Sequence, residues 1–371
     1  MKIAVIGGGP GGLYAALTAA NEAGKVVLFE KRRIGEGIVC GECIFDSLCV
    51  MPRPGRGLLR PVDEIIFRGR GSYPFALSKH RPLWMLDRKT WQQDLAAQAR
   101  SRGVTVYENT KITPAGLGRL QKEYDWVIDA SGAPSVTARL YRFAGDYLKE
   151  CLLGYQVVVR SDFREIWPRL FISFLPELPA EYQPAYAWIF PRDQHTANVG
   201  VVCNVRGTPG RKRVNVKGLL SDFLRAEGLM DAVVLEKGGG IATGRMPARL
   251  VYDNVLLAGD AAGLTSALHG GGIDLACLSG VLAASAVCEG QSGVDGYQQK
   301  LKDYLRERNA LEDVTIGKMR TMNFNQFDRL LRGVTAKSRF VRLKTGLRHF
   351  DMLYTTIRWF GTKKPAPDWP V

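Results

Sequence analysis

The chain has no apolar run long enough to cross a bilayer, no internal repeat and no low-complexity linker. Those absences exclude a transmembrane helix, a solenoid and a string of separable beads. The uncharged stretch Ile3–Ala20 follows Lys2 as a signal peptide would, but five glycines and a proline interrupt it. The seven cysteines are odd in number and scattered, without the framework of a small disulfide-stapled domain, and read as the reduced thiols of a cytoplasmic protein. No metal site is expected: the Cys40–Cys43 pair would need two more ligands, and only Cys49 lies nearby. No nucleic-acid module accompanies the formal charge of +15. What remains is an ordinary globular composition, 46% hydrophobic and 23% charged, in 371 residues that allow two or three domains with sizeable cores.

The most informative segment is the first. Lys2–Ile6 is an apolar strand that runs into Gly7-Gly8-Gly9-Pro10-Gly11-Gly12, then a helical pattern, then the strand KVVLFE ending at Glu30, with Lys31 after it as a further cofactor-side candidate. Glycines 7, 9 and 12 form G-x-G-x-x-G, with an acid 18 positions after the last of them, the full dinucleotide-binding βαβ pattern. Gly7 permits the tight turn, Gly9 lets backbone N–H groups approach a pyrophosphate, and Gly12 lets helix and strand pack closely. The pyrophosphate would sit at the helix N-terminus, with Glu30 on a ribose diol.

A second segment distinguishes among dinucleotides. After the strand VLLA come Gly259 and Asp260, small residues, and the triplet Gly270-Gly271-Gly272 before Ile273. A nicotinamide dinucleotide has no use for this second phosphate and sugar contact. FAD is longer, and its ribityl hydroxyls need a carboxylate such as Asp260. A helix opening near Gly272 would aim its positive end at the edge of the flavin that becomes anionic on reduction.

Four segments together resemble the geranylgeranyl reductase family, flavoproteins of the para-hydroxybenzoate hydroxylase-like fold. They are GGGPGG, RIGEGIVCGE (Arg33–Glu42), PAYAWIFP (Pro184–Pro191) and GDAAG with its GGGI sequel. The first and last are common to many flavoenzymes, and the middle two are more particular to this family. The chain departs from the family pattern at Ala267, where proline is usual, and at Val202, where a second glycine would follow Gly200.

The fold class expected is α/β: a Rossmann-type FAD-binding domain interleaved with an antiparallel β-sheet substrate domain, plus a C-terminal helical segment. The FAD-binding domain would take residues 1–50, 86–135 and 250–290. The β-rich substrate domain would take 51–85 and 136–249, and a helical, basic region 291–371. Residues 89–102 read as an amphipathic helix, and the runs after Tyr155 alternate as strands between turn signals.

The resemblance implies that Cys40 lies near the flavin, on a loop running towards the isoalloxazine. Saturating an isolated prenyl double bond needs hydride at one carbon and a proton at the other. Cys40 and Glu42 are therefore the catalytic candidates, for the proton or for holding the alkene. Other readings of Cys40 stand beside this: a redox pair with Cys43, or a structural thiol. Tyr186, Trp188 and Phe190 alternate on one strand and so share a face, an apolar wall against an isoprenoid, or else a core stripe; Pro191 closes that strand. His269, beside the glycine triplet, is a substrate- or flavin-side candidate, and Arg88 opens a helix where this fold often meets FAD. Flavin hydroxylases of this fold usually carry Asp-Gly where Ser131-Gly132 stands. That change points away from direct NADPH reduction and towards another donor: an acidic carrier such as ferredoxin or flavodoxin, or a membrane quinol.

The expected activity is FAD-dependent reduction of a polyprenyl chain on a lipid, quinone or pigment precursor. The alternatives are a flavin monooxygenase or halogenase acting on an aromatic small molecule, and a non-catalytic electron-transfer protein. From Arg332 to Lys364 there are nine lysines and arginines against one acid, Asp351, interleaved with aromatics and aliphatics. Such a segment suits either an anionic membrane surface, which would make the protein peripheral there, or a helix packed on the core with a solvated basic face.

Overall fold

The computed structural model describes residues 1–76, 81–206 and 214–371. Ile3, Ala4, Val5 and Ile6 are each 3% exposed or less, and a strand buried on both faces belongs inside a parallel sheet. Lys2–Ile6 is accordingly central in a six-stranded sheet with order Val251–Tyr252, Val255–Leu257, Trp126–Asp129, Lys2–Ile6, Lys25–Phe29, Thr105–Tyr107. All neighbours are parallel except the short first pair.

Two helices cover one side of this sheet, Pro10–Ala19 and Ile273–Cys288, and both are apolar almost all round. Their backbones meet at Gly11 and Gly280, where a Cβ on Gly280 would lie 2.1 Å from the Gly11 carbonyl oxygen. Helix Arg88–Ser101 joins the same core through Trp91, Leu95 and Ala99. Asp87 caps it, accepting from the Thr90 N–H at 3.1 Å.

The second sheet has seven strands, ordered Val233–Ala242, Glu150–Arg160, Thr196–Arg206, Ala185–Pro191, Leu170–Phe174, Glu64–Arg68, Ser72–Ala76. Every pairing is antiparallel except Leu170–Phe174 with Glu64–Arg68. Strand alternation sorts its residues. Val157, Val159, Ala187, Ile189, Val199 and Val201 pack under helix Val216–Ala226, whereas Leu152, Tyr186, Trp188 and Val202 form a cluster on the opposite face. A small three-stranded sheet, Cys43–Phe45, Leu83–Leu86 and Leu58–Pro61, lies between the two large ones in the chain path.

The C-terminal region is helical: Gln291–Thr321, Phe324–Val334, Arg339–Arg348 and Phe350–Gly361. The last ten residues return to the core, where the Trp369 indole donates to the Val50 carbonyl at 2.7 Å. Among the described residues no helix is long and apolar enough to cross a membrane.

Candidate active site

A single cavity of about 1210 Å³ runs from the glycine loop to the aromatic face of the seven-stranded sheet. At its first end the chain has almost no side chain to offer. A Cβ at Gly7, whose φ is +105°, would strike the Ala130 carbonyl oxygen at 2.4 Å, while a Cβ at Gly9 would meet nothing within 4 Å. Glu30 is fixed at the end of its strand, accepting from the Gly8 N–H at 2.6 Å and the Arg32 N–H at 3.0 Å. Arg88 donates to Gln92 Oε1 at 2.6 Å, and its own Nε is shielded from solvent with no partner.

The middle of the cavity is lined by Gly259, Asp260 and the glycine triplet 270–272. Burial pushes the Asp260 carboxyl above its ordinary range, against a hydrogen bond from Thr265 Oγ1 at 3.1 Å. Helix Ile273–Cys288 opens at Gly272 with no side chain capping it, so its first N–H groups face the cavity. The turn before it is held from behind by a buried pair on helix Gln291–Thr321. Glu312 accepts from Ser266 Oγ at 2.8 Å and the Ala267 N–H at 3.1 Å, and Arg308 Nε lies 3.4 Å from Glu312.

At the far end stand Tyr186, Trp188 and Phe190. Trp188 fits because Gly200 lies opposite it in register: a Cβ there would be 2.2 Å from the indole. The Trp188 Nε1–H donates to Asn198 Oδ1 at 2.8 Å, and Asn198 Nδ2 donates to the Cys40 carbonyl at 3.1 Å. The Cys40 loop is thereby tied to the aromatic strand, with Gly41 against the Phe190 ring. Cys40 lines the cavity, and its Sγ accepts from the Glu42 N–H at 3.3 Å. Burial pushes the neighbouring Cys43 thiol far up, so it stays protonated at neutral pH. The Tyr186 hydroxyl donates to the His269 carbonyl at 2.6 Å. Burial pushes the His269 imidazole down, which keeps it neutral. Its Nδ1 accepts from the Gly271 N–H at 3.1 Å, leaving the proton on Nε2.

The first 151 residues match the model of the pyridine nucleotide-disulphide oxidoreductase family. Digeranylgeranylglycerophospholipid reductases of Methanothrix thermoacetophila and Methanocaldococcus jannaschii are 28% and 27% identical to this chain, over 83% and 82% of it and 84% and 81% of their own lengths. A solved geranylgeranyl bacteriochlorophyll reductase-like protein from Thermoplasma acidophilum superposes with a TM-score of 0.75 at 21% identity, over 96% of this chain and 98% of its own. Over most of its length the chain is therefore similar to reductases named for geranylgeranyl lipids, and it shares the fold of the solved reductase-like protein. The flavin-dependent halogenase CmlS shares the fold, at a TM-score of 0.59 and 18% identity, over 97% of this chain and 77% of its own.

The residues present fit an FAD. The empty space above Gly9 is where a Cβ would obstruct a pyrophosphate, and the orphaned Arg88 Nε–H is a donor without an acceptor. Glu30, Asp260 and the uncapped helix at Gly272 supply what a ribose, a ribityl chain and a flavin edge require. The cavity also brings Pro10, Gly11, Lys31, Ser131, Gly132 and Ile273 to its wall.

Three residues singled out in the sequence do not reach the wall. Gly12 lies beneath the loop, where a Cβ would be 1.9 Å from the Gly7 carbonyl oxygen. Pro191 turns its carbonyl to Arg60 Nη2 at 2.9 Å instead. Glu42 is the substantive correction. Its buried carboxylate accepts from Arg192 at 2.7 Å and pairs with Lys237 at 3.2 Å, so it is turned away from the cavity and holds the Cys40 loop in place. Lys237 Nζ also lies 3.4 Å from the Cys40 carbonyl oxygen.

Several lining residues escaped sequence reasoning. Gln156 is 5% exposed, and its Oε1 has no partner. Only its alternation with Leu152 and Gly154 on one strand hinted at it. The run Gly238–Gly240 was a clearer signal, since a glycine triplet in a strand suggests close approach by another group. Gln92, which donates to the Gly8 carbonyl at 3.2 Å, carries no recognisable motif.

Proposed function

We propose that the chain reduces isolated carbon–carbon double bonds of a polyprenyl chain carried on a lipid, quinone or pigment precursor. One observation supports this above the others: the glycine cradle and the wall of Tyr186, Trp188 and Phe190 border one continuous cavity. The relatives named for geranylgeranyl lipids support the same substrate class.

Each double bond takes up two electrons and two protons, as a hydride at one carbon and a proton at the other. Bound FAD supplies the hydride once it has been reduced. The chain's residues do the rest. The aromatic wall, with Leu152 and Val202 beside it, holds the alkene and excludes water. An unactivated alkene is a poor hydride acceptor, so a proton source must stand close. Cys40 Sγ is that source, held by the Glu42 N–H and by the ties from Asn198 and Lys237 to its carbonyl. The neutral His269 offers no proton of its own, and its Nε2–H serves at the same wall as a hydrogen-bond donor only. Electrons reach the protein from an acidic carrier of the ferredoxin or flavodoxin kind, in keeping with Ser131 where hydroxylases of this fold carry aspartate.

Turnover under argon, with dithionite as the donor, tests the reading. The expected product of a geranylgeranyl lipid is heavier by two hydrogens for each bond reduced. A product formed only after oxygen is admitted, and heavier by an oxygen atom, would place the chain among the oxygen-using flavoenzymes instead.

A further inference from the structure

The helices Arg339–Arg348 and Phe350–Gly361 carry an apolar surface that the rest of the fold does not cover. On the first, Phe340, Leu343 and Leu347 are 74%, 56% and 59% exposed; on the second, Phe350, Tyr354 and Ile357 are 63%, 50% and 60% exposed. Spacings of three, four and seven put each triplet on one face of its helix. The side of the first helix away from its stripe is packed, with Gly333 against Thr345, and the two helices touch each other where Gly346 lies against Leu353 at the edge of the stripes. Exposed leucines scattered singly mean little, but two adjacent stripes form a patch of the kind that marks a binding surface.

Charge says what the patch would meet. Helix Arg339–Arg348 holds four cations, at 339, 342, 344 and 348, and no acid. Nearby acids are engaged elsewhere: Asp351 with Lys318 at 2.8 Å, Asp328 with Arg332 at 3.4 Å, and Glu307 with Lys364 at 2.9 Å. A second copy of the same face would bring like charges together in a two-fold contact. An anionic surface would not. Behind the patch, two ring contacts link the second helix to the cavity wall. On the packed side of the second helix, Trp359 has its ring centroid 6.2 Å from that of Phe45, which is 5.8 Å from that of His269 on the cavity wall.

We propose that these two helices dock the protein on an anionic lipid bilayer, lying in the interfacial plane with the apolar stripes at the acyl boundary and the cations among the headgroups. The surface is independent of the substrate reading, and its test uses vesicles that contain no polyprenyl chain. Flotation of the FAD-loaded full chain with phosphatidylglycerol vesicles should show binding that weakens steeply with salt, and phosphatidylcholine vesicles should bind far less. The pair Arg342→Gln and Arg348→Gln should lower binding about fivefold per cation removed. The pair Leu347→Ser and Phe350→Ser should abolish it, with flavin absorbance and melting temperature unchanged. Absence of binding to either vesicle would overturn the proposal. So would retention of binding by both variant pairs. A serine variant that instead turns a dimer into a monomer on sedimentation would assign the face to a second copy of the chain and overturn it equally.

Discussion

Replacing Gly200 by alanine is a sharp test of how the aromatic wall is built. The added methyl would lie 2.2, 2.5 and 2.8 Å from three atoms of the Trp188 indole, which has nowhere to retreat because its Nε1–H is bonded to Asn198 inside the sheet. Either the indole tilts and loses that bond, or the strands Ala185–Pro191 and Thr196–Arg206 part. Overpacking of this kind costs about 1–3 kcal/mol, and a lost buried hydrogen bond adds about 1 kcal/mol. At roughly 2 °C per kcal/mol for a chain of this size, the melting temperature should fall by about 4–8 °C. The displaced ring also loosens the Cys40 loop, since Asn198 bridges the two. KM for the lipid should therefore rise about tenfold, equivalent to ~1.4 kcal/mol, while FAD, held at the other end of the cavity, stays bound. Differential scanning fluorimetry on flavin emission gives the first quantity and steady-state kinetics the second. Adding Trp188→Leu, which makes room for the methyl, should restore part of the stability, and the double-mutant cycle should show coupling of about 1 kcal/mol or more. A Gly200→Ala protein with wild-type melting and KM would refute the register and the wall built on it.

Other consequences are checked as directly. Gly9→Val should yield a folded but colourless protein, because the side chain would fill the space left for the pyrophosphate; undiminished FAD absorbance would show that the cofactor runs elsewhere. Cys40→Ser should keep FAD and lower the rate of double-bond reduction about 100-fold or more, the usual scale for loss of a positioned proton donor; an unchanged rate removes Cys40 from the chemistry. Asp46 gives a pH signature. Burial and the neighbouring Asp274 raise its carboxyl to about 6 from the ordinary 3.8. The folded state thus holds this proton more tightly than the unfolded chain, so the contribution, about 3 kcal/mol, is fully present below about pH 4 and is lost as pH rises through 6. Relative to Asp46→Asn, wild-type stability should fall across that window; parallel profiles would contradict the assignment.

What could be read from the sequence was local and periodic. The glycine spacing, the apolar strand before it and Glu30 after it are encoded within about thirty residues, and each has a single physical use. The alternation of Tyr186, Trp188 and Phe190 likewise needs only strand geometry. Long-range pairing was not legible. Nothing near Glu42 announces Arg192, in the bend after one strand, or Lys237, on another strand, 150 and 195 positions away, so a buried ion pair looked like an available acid. Residues 51–85 illustrate the same limit: Glu64–Arg68 joins the large sheet by a parallel pairing with Leu170–Phe174, while Leu58–Pro61 and Leu83–Leu86 go to the small one. The basic tail was ambiguous in sequence because amphipathic spacing says which residues share a face but not which face is covered. The exposure of Phe340, Leu347 and Phe350 resolves that point.

The central claim, reduction of a prenyl double bond at the wall beside the flavin cradle, is tested most directly by one anaerobic turnover. The protein is reduced with dithionite, the excess is removed, a geranylgeranyl lipid is added, and flavin absorbance and lipid mass are followed together. The account predicts return of the oxidised flavin spectrum with a gain of two hydrogens per flavin. A flavin that stays reduced until air is admitted, with no change in lipid mass, would contradict it.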